Sequence, residues 1–371
     1  MSDEAYQERI LPHVSRTFAL TIPQLPPALR TPVTNAYLLC RMADTIEDEP
    51  ALSAGATLRL LQRFVAVVDG REHAAALAVE VASQLSRQTL PAERELILNM
   101  ERVVRLTAGF AEPQRAPIQR CIEVMCGGMH QFQHTASLRG VPRSSDLDDY
   151  CYYVAGVVGQ MLTELFCAYS PGIMRRRRAL QELAVSFAQG LQMTNILKDV
   201  WEDRRRGACW LPQEVFSRYG LELAQLSSEH PDARFDAAFR ELIGVAHAHL
   251  RNALAFTLLI PRRHTGIRRF CLWAIGLAVL TLRNIERTPG FTSGQQIKVS
   301  RSAVRMTRIL TSLAVRSDWA LRALFERAAR GLPLAAPAAA RPLPHAAQYG
   351  QSAHPAPLDD AGGLAEGSSA R

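Results

Sequence analysis

The chain has 371 residues, 48 % of them hydrophobic, enough to bury a large core in one large domain or two ordinary ones. Its formal net charge is +8 at pH 7, and the stretch from Gly331 holds two basic against three acidic side chains, leaving +9 on the body. Such an excess suits nucleic acid, an anionic membrane surface or an anionic substrate. The seven cysteines form no CxxC pair, which favours reduced core thiols in a cytosolic protein.

The elements follow in chain order. "MSDEAYQERILPHVSR" carries acids and no apolar h-region, so it does not read as a signal peptide. After the break "TIPQLPPALRTP", "AGATLRLLQRFVAVVDG" sets Leu58, Leu61, Val65 and Val68 at helical spacing. "ERELILNMERVVRLTAGF" does the same with Leu96, Met100, Val103 and Val104. Leu180 to Asp203 runs without proline and predicts a long, largely buried helix. Short connections fall at Arg139–Ser145, Tyr169–Gly172, Arg205–Pro212 and Ser227–Phe235. "FCLWAIGLAVLTL" (Phe270–Leu282) is shorter than the ~20 residues that span a bilayer, so it predicts a buried core helix with no transmembrane anchor. Arg262, Arg263, Arg268 and Arg269 just before it suit contact with a membrane surface. Alternating strand patterns are scarce. The expectation is one all-α domain over residues 1–330 and a disordered Ala/Pro/Gly-rich tail over 331–371.

One pattern occurs twice. In "YLLCRMADTIEDEP", Tyr37, Arg41, Asp44 and Asp48 share a helical face, with Glu47 beside them. In "QMTNILKDVWEDRRRG", Asn195, Asp199 and Asp203 are four apart and Gln192 lies three earlier. Each polar stripe shares its helix with apolar neighbours. Buried unpaired carboxylates are costly, so a positive partner is expected. Magnesium fits, because it takes oxygen ligands and commonly binds through one or two carboxylates plus substrate phosphates. Two such stripes face to face would hold metal ions and, through them, a diphosphate. His13, His130 and His134 have no metal-ligand partners at useful spacing.

These segments, with "SRTFALTIPQLPPALRTP", "DDYCYYVAGVVGQMLTELF" and "WLPQEVFSRYG", resemble the squalene/phytoene synthase family over roughly Ile10 to Arg305. "YCYYVAGVVG" and "WLPQEVFSRYG" look most like its squalene-synthase branch. The resemblance implies an isoprenoid-synthase fold around a central cavity. It implies a prenyltransferase that condenses two farnesyl diphosphates to presqualene diphosphate, then converts it to squalene with NADPH. Phytoene or dehydrosqualene synthesis without reduction is the alternative. A basic helical polyanion- or membrane-binding protein is a remoter one, and nucleic acid is not an expected partner.

Carried onto this chain, the resemblance assigns Asp44, Glu47 and Asp48 to the first metal motif and Asn195, Asp199 and Asp203 to the second. Ser15, Arg16, Arg41, Gln192 and Lys198 would contact diphosphate, and Tyr150 would be the acid/base. Phe18, Tyr37 and Phe270 would line the hydrocarbon cavity. Ala208 stands where the family usually carries a basic residue in the flap linked to reduction. That leaves Arg204, Arg205 and Arg206 as candidates for NADPH. No GxGxxG follows a strand, so a Rossmann site is not expected. The implied location is cytoplasmic, with peripheral contact to the inner face of the membrane.

Overall fold

The computed structural model describes residues 1–133, 137–227 and 232–335, apart from the side chains of Arg16, His130 and Gln133. His134 and the expected tail beyond Ala335 lie outside the described residues. Within them the chain is all helix, with no strand.

The order is α1 (Asp3–Val14), α2 (Arg16–Thr21), α3 (Pro27–Glu47), α4 (Ala54–Val68), α5 (Ala74–Gln84), α6 (Pro91–Leu98), α7 (Met100–Gly109), α8 (Glu112–Gln133) and α9 (Ser144–Cys151). One π-helical turn, Tyr152–Gly156, leads into α10 (Val157–Tyr169) and the short α11 (Pro171–Met174). Then come α12 (Arg177–Arg205), α13 (Gln213–Ser217), α14 (Ala233–Leu259), α15 (Thr265–Arg287), α16 (Arg301–Ala314) and α17 (Asp318–Ala328).

Local chemistry sets the ends. Ser2, Ser15, Ser53, Ser300 and Ser317 each cap a helix, the side-chain oxygen accepting from a backbone N–H. Pro27 opens α3, where its missing N–H is not needed. The predicted 180–203 helix is real and longer, with 29 residues. It stops at Gly207, whose φ of +85° suits glycine alone, and Arg204 and Arg205 in its last turn complement the helix dipole.

Two expectations are adjusted. The buried face of α4 runs through Thr57, Leu60, Leu61, Phe64, Val67 and Val68, not along Leu58 and Val65. The stripe is centred on Phe64, which the i, i+3, i+4 count from Leu58 passes over. The periodic stretch around Leu96 to Val104 divides at Asn99 into α6 and α7. Asn99 has φ −104° and ψ 20°. That turn lets both pieces bury apolar residues, Leu96 and Ile97 from one and Met100 and Val103 from the other.

Helix α12 is the spine. It lies along α14, while α10 and α15 also pack on it, and α3 is held through α8. The approach to α10 depends on Gly159, where an added Cβ would sit 2.3 Å from the carbonyl oxygen of Ala184. Backbone cannot yield as a side-chain tip can. Gly159→Ala is therefore expected to lower unfolding stability by about 1–3 kcal/mol, read in a urea titration. An unchanged midpoint would show that the two helices can part without cost.

The Phe270–Leu282 stretch lies inside the 23-residue α15. Three helical segments, Ser144–Tyr169, Ala233–Leu259 and Thr265–Arg287, are long and apolar enough to cross a membrane, though each has over half of its apolar window buried against the protein. Two of the four arginines before Phe270 share one acid. Arg268 is fully buried and ion-paired with Asp318, which also binds Arg262 at 2.7 Å. All seven cysteines are buried and unpaired. Residues just past Gly331 lie on α14: Ala335 N–H donates to the Gly244 carbonyl at 3.1 Å, and the Pro333 carbonyl is 2.8 Å from His247 Nδ1.

Candidate active site

The first acidic stripe ends α3. Asp44 faces inward beside Arg41, with 3.8 Å between guanidinium and carboxylate. Asp48 closes the helix, its N–H donating to the Asp44 carbonyl at 2.8 Å. Asp44 keeps 35 % of its side-chain surface, yet burial is the main cause pushing its pKa up, to about 7. Asp44 is thus crowded by protein atoms while part of its side chain keeps contact with solvent. Burial, then the charges of Asp48 and Asp44, push Glu47 up to about 8. Burial also raises Asp48, against the pull of Arg41 and Arg206.

Glu49 is a contrast from the same run. Its carboxylate accepts from Ala51 N, Ser86 N and Thr89 Oγ1, and so staples a loop.

The second stripe ends α12. Burial and then the neighbouring Asp199 raise Asp203 to about 6, and the charge of Asp48 contributes too. Asp48 and Asp203 are thus within electrostatic reach, although 155 residues apart in sequence. Arg206 lowers both. Asp48 and Asp203 are the pair through which the α3 and α12 stripes act on each other.

Several assigned side chains have other work. Ser15 caps α2, accepting from Phe18 N at 3.0 Å. The side chain of Arg16 is outside the described residues. Arg41 pairs with Glu93 of α6, which is nearly buried, so Glu93 fixes the guanidinium beside Asp44. Lys198 pairs with its neighbour Asp199 at 3.0 Å. Gln192 is half-buried and Asn195 exposed on the α12 stripe. Glu202 accepts from Gly294 N at 3.1 Å, and its charge also raises Asp203.

The three consecutive arginines divide. Arg204 donates to the carbonyls of Leu138 and Leu226, and Arg205 to that of Thr292, so both tie loops to α12. Arg206 alone acts on the acids of both stripes.

Tyr150 lies between the stripes and the core. Its ring stacks on Trp210 at 3.8 Å with 7° between planes, and meets Phe132 edge-on at 5.6 Å. Burial, then Glu47, Cys151, Asp48 and Asp44, hold its phenol well above the ordinary tyrosine value. Tyr150 therefore keeps its proton at neutral pH. Phe18 and Tyr37 stack at 4.7 Å, and the Tyr37 hydroxyl donates to the Val14 carbonyl. Phe270 is buried edge-on against Phe166 at 6.2 Å, within the core.

Sequence reasoning missed Glu93, Trp210 and Asp148. Asp148 precedes Tyr150 by two residues and is raised to about 7 by burial and Asp149. Its signal was present in "DDYCYY", where two adjacent acids open an aromatic run. Nothing in "PAERE" marks Glu93 as the partner of Arg41.

Among the described residues, no three His, Cys, Asp or Glu side chains converge on one metal position. Mg²⁺ does not need such a cage, since it takes one or two carboxylates and completes its shell with water and phosphate oxygens. The donor set fits it: hard oxygens, mutually repelling, with raised affinity for any positive charge. One pair of carboxylates from each stripe, Asp44 with Asp48 on α3 and Asp199 with Asp203 on α12, would hold such ions.

A pH dependence follows. Folding raises the pKa of Asp203, Asp44 and Glu47 to about 6, 7 and 8. Each stabilises the fold most below its unfolded value near ~4 and loses that contribution as pH rises through the folded value. In the absence of divalent metal, Tm should fall between about pH 5 and pH 8. Added Mg²⁺ should raise Tm more at the upper end than at the lower. A flat Tm across that range would contradict the burial of these acids.

The squalene/phytoene synthase family profile matches residues 11–303. Squalene synthase BSS of Botryococcus braunii is 31 % identical over 268 residues, covering 70 % of this chain and 54 % of its own. Squalene synthase of Nicotiana benthamiana is 30 % identical over 313 residues, covering 82 % of this chain and 68 % of its own. The chain thus spans about half the length of the Botryococcus relative.

The TcSQS–ligand complex superposes with a TM-score of 0.70 at 23 % identity, covering 89 % of this chain and 98 % of that one. A dehydrosqualene synthase–ligand complex gives 0.62 at 22 % identity, covering 85 % and 97 %. These two share the fold. With nearly four-fifths of its residues matched in order by the family profile, the chain belongs to the squalene/phytoene synthase family.

Proposed function

We propose that this protein is a prenyltransferase that joins two farnesyl diphosphates head to head, giving presqualene diphosphate and then squalene. The observation that carries the reading is the electrostatic meeting of Asp48 on α3 with Asp203 on α12, with Tyr150 close enough to feel Asp44, Glu47 and Asp48. Bound Mg²⁺ would supply the positive charge that lets diphosphate leave. The chain's own residues do the rest. The two acid stripes fix the metal-bearing diphosphate. Arg41, oriented by Glu93, and Arg206 present guanidinium forks to its oxygens. Trp210, Tyr150 and Phe132 form a partly buried aromatic group whose ring faces favour a carbocation. The Tyr150 hydroxyl, protonated at neutral pH, donates toward the departing oxygen.

Squalene as the product is supported by the names of the curated relatives, and NADPH is the reductant it requires. The dehydrosqualene synthase neighbour marks the rival that stops short of reduction. Product analysis with farnesyl diphosphate and Mg²⁺, with and without NADPH, decides. Squalene formed only with NADPH is the expected result. An unreduced C30 product that persists with NADPH would replace squalene with dehydrosqualene, and a C40 product from geranylgeranyl diphosphate would replace the substrate. The reading places the enzyme in the cytoplasm, in peripheral contact with a membrane that accepts its apolar product.

A further inference from the structure

The largest cluster of exposed apolar side chains lies far along the chain from both acid stripes. Met306, Ile309, Leu310 and Leu313 recur at i, i+3, i+4 and i+7 on α16 and are 54, 47, 40 and 80 % exposed. Trp319, at the start of α17, is 79 % exposed. The other large exposed apolar side chains, from Met1 to Leu334, are spread along the chain. Scattered residues need no explanation, but a contiguous apolar arc on one helix does.

The opposite side of α16 is firmly seated. Ala314 is buried, Arg308 covers the Trp273 ring of α15 at 4.6 Å, and a Cβ on Gly276 would meet Thr307 at 2.5 Å. The exposed arc is therefore a fixed surface.

Charge indicates what covers it. From Thr288 to Ser317 the sequence has no acid but holds Lys298, Arg301, Arg305, Arg308 and Arg316. Arg301, Arg305 and Arg316 are exposed and lie along one flank of the apolar arc. A second copy would bring like charges together with no carboxylate to answer them. An anionic lipid surface answers the arginines with headgroups and the apolar arc with acyl chains.

We infer that α16 and Trp319 form a docking face for an anionic bilayer, with Ile309, Leu313 and Trp319 entering the headgroup boundary and Arg301, Arg305 and Arg316 meeting its phosphates. This replaces the Arg262–Arg269 segment, whose Arg262 and Arg268 are engaged by Asp318. It deepens the membrane contact of the proposed function, but vesicle binding is measured without substrate, so it stands or falls apart from the chemistry.

The test is flotation of the full chain with vesicles of phosphatidylcholine alone or with about 30 % phosphatidylglycerol. Binding is expected to the mixed vesicles, weaker to the neutral ones, with a blue shift of Trp319 emission that Trp319→Phe removes. Ile309→Glu with Leu313→Glu should weaken binding more than about tenfold, and Arg301→Ala or Arg305→Ala about fivefold each. Both sets alter solvent-facing side chains, so circular dichroism should show an unchanged fold. Vesicle binding that ignores all four substitutions overturns the inference. So does a wild-type dimer that Leu313→Glu dissociates while no vesicles bind, since the face would then belong to a second copy.

Discussion

Asp48→Asn and Asp203→Asn should each lower kcat with farnesyl diphosphate about 10³-fold while leaving the helical spectrum intact. Each removes a charge that helps hold the cation at the leaving group, and each leaves a shape-matched amide. Stability should not suffer. Both carboxyls have pKa values raised above the ordinary range by burial, so the folded protein without metal is under electrostatic stress there. Relieving that stress by neutralisation should keep Tm level or raise it at pH 8. Loss of turnover with unchanged or higher Tm is a signature that a merely structural acid could not produce. Glu49→Gln is the control, because that carboxylate accepts three local hydrogen bonds. It should lower Tm and spare turnover in the protein that remains folded.

Tyr150→Phe is expected to lower kcat about 10²-fold with little change in KM. The substitution keeps the ring, and with it the 3.8 Å stack on Trp210. It removes only a hydroxyl that burial and three nearby acids keep protonated. The rate should stay flat from about pH 6.5 to 8.5 where this group is concerned, since a donor with so high a pKa does not ionise there. A variant at the wild-type rate would take Tyr150 out of the chemistry and leave it a packing residue.

The fold was legible because helices announce themselves locally. Serine caps, Pro27 at the start of α3 and the proline-free run of α12 all lie within a few residues of the feature they set. The acid stripes were legible for the same reason: a spacing of four is one helical turn. Their relative placement depends on tertiary packing, which brings Asp48 and Asp203 within electrostatic reach. What stayed hidden depends on partners distant in sequence. Glu93 reaches Arg41 across 52 positions, and Trp210 reaches Tyr150 across 60. Residue type alone also misled. Three arginines in a row look alike, yet Arg204 and Arg205 hold loop carbonyls while Arg206 faces the acids. Ser15 carries a hydroxyl suited to phosphate, but its lone pair caps α2.

Binding of inorganic pyrophosphate measures the central claim most directly, by calorimetry with and without Mg²⁺ on the wild type, Asp48→Asn, Asp203→Asn and the double variant. If α3 and α12 grip one metal-diphosphate unit, binding requires Mg²⁺, and the double variant loses less than the sum of the two single losses. Additive losses, or pyrophosphate binding that is indifferent to Mg²⁺, would mean that the two stripes do not share a ligand.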